Sequence, residues 1–238
     1  MVTRVPVFTD EGPADEPDDV DTIGAGVSLA AAVRNRIDGL YPIDPFGGDP
    51  QIQDVLAPLV RVGVRVRVTH PELLPTSGPA VLVSNRGLGV AEPVVLAVAV
   101  REAVGRRLRV LGAPELPVLG DAARRLGGIG YHAEDLGAVL RAGHLVAVPL
   151  GNTWLRTGAG EPPVGLIVAA LGFPVIPILV RPSGPFGVPW LGRWNVTVGP
   201  PIVPDEAAAL DDPLSAAELA ERARDGVQAL IDAPPAAR

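Results

Sequence analysis

Four stretches of this chain carry side chains that could bind or move charge. Ser84-Asn85-Arg86 closes an apolar run, and Glu92 follows six positions after Arg86. A guanidinium stays protonated at any pH a cell reaches, so Arg86 accepts no proton. With Glu92 it could form an ion pair or meet an anionic head group; alternatively both residues cap and solvate a loop. His132, followed by Glu134 and Asp135, could act as a base near neutral pH, or be a polar residue in a strand-to-helix loop. Gly151-Asn152-Thr153 and Arg156 lead into Gly158, Gly160, Pro162 and Pro163. An Arg156 that folds back would meet a phosphate together with helix-start amides, and an ordinary Gly and Pro loop accounts for the segment equally well. Gly87-Leu88-Gly89 sits where a dinucleotide loop would, but Glu92 stands at the third glycine position and repels a pyrophosphate.

Other chemistries are excluded by residue type. There is no Cys, hence no disulfide, thiolate metal site or thiol nucleophile. No Gly-x-Ser-x-Gly elbow, Walker loop or His pair at metal-ligand spacing occurs. His144 opens a strand at the end opposite the other groups and reads as structural.

The elements that must position these groups follow from periodicity. From Pro79 onward apolar strands alternate with amphipathic helices, which predicts an α/β fold: one largely parallel twisted sheet with helices on both faces. Strands are expected near Ala80 to Ser84, Arg107 to Leu111, Gly128 to Tyr131, Leu145 to Pro149, Val175 to Val180 and Asn195 to Val198. Helices are expected near Glu92 to Val104, Leu116 to Leu126, Ala133 to Ala142 and Pro163 to Leu171, with a last one, Pro213 to Ile231, on the sheet edge. Val64 to Val68 alternates with period two, as a strand does. Upstream, Thr22 to Tyr41 and Gln51 to Val62 read as helices separated by a Pro and Gly break. Three regions result: an acidic disordered tail over residues 1–21, an N-terminal helical segment over 22–63, and the main domain over 64–238. In such sheets ligands gather where strands end and helices begin, so the loops after Ser84, Tyr131 and Pro149 are the ones that matter.

Four ordered blocks over roughly residues 64–204 resemble the glycerolipid acyltransferases, the lysophosphatidic acid acyltransferase family. Asn85-Arg86 and Glu92-Pro93 stand where that family has Asn-His-x4-Asp-Pro. Leu126-Gly127-Gly128-Ile129-Gly130-Tyr131-His132-Ala133 is similar to its Leu-Gly-x-Ile-x-x-x-Arg. Pro149-Leu150-Gly151-Asn152-Thr153 is similar to its Pro-Glu-Gly-Thr-Arg, and Val175-Ile176-Pro177-Ile178 to its Val-Ile-Pro-Val. The resemblance implies a hydroxyl made nucleophilic by a His base, attacking an acyl thioester carried by acyl-CoA or acyl carrier protein, with no further cofactor. It also implies that Asn85, Arg86, Gly151, Asn152, Thr153 and Arg156 would line the substrate. The base is replaced by Arg86, the acid is one residue late at Glu92, and the phosphate-binding Arg and the Glu of the later blocks are Ala133 and Leu150. The expectation is a degenerate member that binds a lipid or an acyl thioester, or partners an active enzyme. Two alternatives stay open: transfer to a non-standard acceptor with His132 as substitute base, and nucleotide binding through the Gly87 to Gly89 loop.

A net charge of -7 over 238 residues and a pI near 5.0 argue against nucleic acid as a partner. All 20 basic residues are Arg. No run of about 18 uninterrupted apolar residues exists, which predicts no membrane span, and the tail lacks the apolar core of a secretory signal. Phe186, Trp190 and Trp194 favour peripheral contact with a bilayer. The expected location is the cytoplasm, with peripheral contact at the inner face of the membrane.

Overall fold

The computed structural model describes residues 31, 34, 35, 37, 38, 43–85, 91–114, 116–150, 164–183, 192–204 and 212–234. Seven strands form one sheet: β1 (Val64–Thr69), β2 (Ala80–Ser84), β3 (Leu108–Leu111), β4 (Gly128–Ile129), β5 (Leu145–Pro149), β6 (Val175–Pro182) and β7 (Gly192–Val198). Their order is β1-β7-β6-β2-β5-β3-β4. The run from β6 to β4 is parallel. β7 turns back antiparallel to β6, and β1 runs parallel to β7.

Sequence pattern explains each strand's place. β2 is apolar at four of its five positions and buried throughout, as a central strand covered on both faces must be. β1 alternates Val and Arg and is covered on one face only, which suits a position at the sheet's end. The helices are α1 (Pro50–Gly63), α2 (Ala91–Val104), α3 (Leu119–Arg125), α4 (Ala133–Arg141), α5 (Val164–Leu171) and α6 (Pro213–Asp232). Asp49 caps α1 by accepting the Ile52 N–H at 3.0 Å, and Pro50 fills the first turn, where its missing N–H costs nothing. Asp212 and Pro213 repeat the arrangement at α6.

The two faces have separate cores. Leu82, Ala147, Ile176 and Val196 meet Val95, Leu96 and Ala99 of α2 on one face. Val81, Val83, Val146 and Val148 meet Leu136 and Val139 of α4, Val168 of α5 and Leu219 and Val227 of α6 on the other. Period two in the strands thus sends neighbouring residues to opposite cores. α1 joins α2 through the Asp54 carboxylate, which accepts from Arg101 at 2.8 Å and Arg107 at 3.2 Å.

The predicted sheet class and helix placement match this architecture, with one correction. α6 does not lie on the sheet edge; its stripe of Leu219, Ala220, Ala223 and Val227 is buried over the face beside α5, because four apolar residues at helical spacing gain more from full burial than from an edge. The predicted helix over Thr22 to Tyr41 falls almost wholly outside the described residues. No helix among the described residues is long and apolar enough to cross a membrane.

Candidate active site

Parallel pairing decides which loops meet. Ser84 is in register with Pro149 and with Ile178, so β2 and β5 end level with one another while β6 runs on to Pro182. The N–H of Leu150 donates to the Ser84 carbonyl at 2.8 Å, carrying the ladder one residue past the strand. Asn85 and Leu150 therefore stand side by side at the same edge. Arg86 and the Gly87 to Gly89 loop, and Gly151, Asn152, Thr153 and Arg156, lie outside the described residues.

Asn85 has a definite task. Its Nδ2 donates to the Val180 carbonyl at 3.2 Å and its Oδ1 accepts the Val180 N–H at 2.7 Å, while its own N–H donates to the Ile178 carbonyl at 3.2 Å. The side-chain amide mimics a further strand residue and holds β2 to β6 where the backbone departs. Asn85→Ala should therefore lower the unfolding free energy by about 1–3 kcal/mol by stranding the Val180 donor and acceptor. Asn85→Asp should cost at least as much in urea melts, since a carboxylate accepts the N–H but repels the carbonyl. An Asp variant as stable as the parent would refute this account.

Glu92 sits in the first turn of α2 and is 6% exposed. That puts a carboxylate at the helix start directly beyond β2, where the dipole of α2 favours negative charge. His132 is elsewhere. It precedes α4 just after β4, exposed, in a shallow cleft of about 360 Å³ that Asp121 and Arg124 also line. β4 is three strand positions from β2 in the sheet order, roughly 14 Å at the usual spacing. The structure thus sets Asn85 beside the start of the third block, places Glu92 in the first turn of α2, and leaves His132 three strand positions from β2.

Trp194 departs from expectation. It is 2% exposed and packs in the α2 core, so its indole offers nothing to a bilayer; as an even-numbered residue of β7 it shares the inward face with Val196 and Val198. Phe186 and Trp190 lie outside the described residues. His144 is buried at the start of β5, edge-on to Phe46 at 5.4 Å, in keeping with a structural role. Among the described residues no cluster of His, Asp and Glu could hold a metal ion.

Comparison with known proteins adds lineage to this geometry. The chain is 30% identical over 267 residues to the uncharacterized protein Rv0502 of Mycobacterium tuberculosis (strain ATCC 25618 / H37Rv), a match spanning 89% of this chain and 74% of that one. The chain belongs to the family of that protein. A second relative, the uncharacterized protein ML2427 of Mycobacterium leprae (strain TN), is 30% identical over 261 residues, spanning 84% of this chain and 70% of its own. No family model matches the sequence. Among solved structures, the chain is similar to the 1-acyl-sn-glycerophosphate acyltransferase PlsC of Thermotoga maritima, with a TM-score of 0.47 and 14% identity over 76% of this chain and 82% of that one. At that level no chemistry passes from one protein to the other.

Sequence reasoning missed one feature of the fold. Val64-Arg65-Val66-Arg67-Val68 was legible as a strand, but the Arg side of that alternation lies beside Arg193 of β7. Only the pairing of β1 with β7 could reveal it.

Proposed function

We propose that this protein is acyltransferase-like, has lost its proton acceptor, and binds a lipid or an acyl thioester where β2 and β5 end. The observation that carries the reading is the level exit of these strands, Ser84 in register with Pro149, which sets the first and third sequence blocks side by side. The buried carboxylate of Glu92 at the start of α2 supports it, being the acid that would orient a ring at position 86. An alcohol attacking a thioester must shed its proton as the new C–O bond forms and the thiolate leaves. Arg86 cannot take that proton, and a missing base typically lowers the rate by about 10²–10⁴-fold.

Transfer with His132 as base is disfavoured by the three strand positions separating β4 from β2. The discriminating experiment follows thiol release from acyl-CoA with lysophosphatidate or glycerol phosphate as acceptor, beside calorimetric titration with the thioester, the lysolipid and a nucleotide. Expected are binding of thioester or lipid, no nucleotide binding, turnover at a trace level, and no change in that trace on His132→Ala. Turnover at ordinary enzymatic rates would defeat the proposal, and loss of turnover in the His132 variant would establish the substitute base.

A further inference from the structure

Outside that site, the exposed face of β1 and β7 concentrates positive charge on an acidic protein. Arg65 and Arg193 are partners across the parallel pair, and Arg67 is the partner of Asn195; all four are exposed. Parallel partners point to the same side, so three guanidinium groups stand on one open sheet face, around a cleft of about 380 Å³ that Ser183 also lines. Among the described residues three carboxylates pair with other arginines: Asp44 with Arg109, Asp54 with Arg101 and Arg107, Glu102 with Arg61. Among the described residues no carboxylate lies within ion-pair distance of Arg65, Arg67 or Arg193.

Like charges directly across a strand pair are unfavourable. Guarding an open edge accounts for charge on the outermost strand, but not for Arg193, which is one strand in and faces Arg65. An apolar side chain completes the pattern. Val62, three residues before Arg65, is 84% exposed at the edge where β6 ends. Exposed aliphatic groups gain at a bilayer boundary and nothing on a polynucleotide.

We propose that the Arg65, Arg67 and Arg193 face, with Val62 at its rim, is a docking surface for the anionic phospholipid headgroups of a membrane. It requires no acyl transfer and stands whether or not the protein is an enzyme. The full chain is mixed with vesicles of phosphatidylcholine, alone or with phosphatidylglycerol, and sedimented. Anionic vesicles should capture it, neutral ones should not, and capture should fall as salt rises. The Arg65→Gln/Arg67→Gln/Arg193→Gln variant should lose about a hundredfold in partition coefficient, roughly fivefold per charge, while the matching triple Lys variant keeps capture. Equal capture by neutral vesicles, undiminished capture of a folded Gln variant, or loss of capture in the Lys variant would overturn the proposal. So would a parent that ignores vesicles while inorganic phosphate raises its melting temperature, which assigns the face to a soluble anion. If the triple Gln variant fails to fold, Arg193→Gln alone should show the single fivefold loss, and no loss there would be equally fatal.

Discussion

Arg86→His, combined with removal of one residue from the stretch Gly87 to Val90, is expected to raise acyl transfer by about 10²–10⁴-fold over the parent chain. The deletion sets the carboxylate of Glu92 five positions after the new imidazole, the offset of the acyltransferase motif. That carboxylate already has its place, buried in the first turn of α2 beyond β2. A neutral imidazole can take the acceptor's proton as the hydroxyl attacks, which a guanidinium cannot. Ala133 would remain where the resemblance implies a phosphate-binding Arg, so the acceptor's phosphate would still lack that ligand. The gain should therefore appear in kcat while KM for the acceptor stays high. Steady-state thiol release by the folded variant decides it: an unchanged kcat would mean that the base is not the missing part.

Asp44→Ala is expected to destabilise the fold by about 3–5 kcal/mol, the usual cost of removing one member of a buried ion pair. Asp44 Oδ1 accepts the N–H groups of Phe46 at 2.9 Å and Gly48 at 2.8 Å, and Oδ2 pairs with Arg109 of β3. The Arg109 side chain is 5% exposed and its guanidinium lies 5.8 Å from the Phe46 ring centroid. Without the carboxylate, a positive charge is left inside the sheet's flank. The loop admits little else there: a Cβ on Gly48 would overlap both the guanidinium and the carboxylate. Urea denaturation of Asp44→Ala, Arg109→Met and the double variant separates charge burial from lost packing. The double variant should recover the part of the loss due to the unpaired guanidinium, while the Phe46 and Gly48 N–H groups stay without their acceptor in both. A double variant no more stable than Asp44→Ala would refute charge burial as the cause.

Strands and helices were legible because period two and period 3.6 are written in single segments. Ala80 to Ser84 and Leu145 to Pro149 coincide with β2 and β5, and the helix expected over Pro213 to Ile231 coincides with α6 to within one residue. What a segment cannot encode is its neighbour. The turn of β7 against β6 and the docking of β1 on β7 depend on chain crossings that no local pattern records. The same limit governed the candidate site. Asn85 reads as a polar strand exit, yet its amide is committed to Val180, a residue far along the sequence. His132 reads as standing on the active edge, and it does, but strand order puts it three positions from Asn85. Trp194 carried an aromatic's preference for interfaces, overridden by strand parity that turned it inward.

The partnership of β1 with β7 ties the early part of the molecule to the late part. Every residue from Val64 to Thr69 finds its backbone partner between Gly192 and Thr197, and this outer pair grips the remainder of the sheet only through β6. A ribosome releases β1 long before its mate exists, so that flank cannot close until β7 has been made. A nick that frees β7 would also unseat β1, so damage at one extremity is felt at the other.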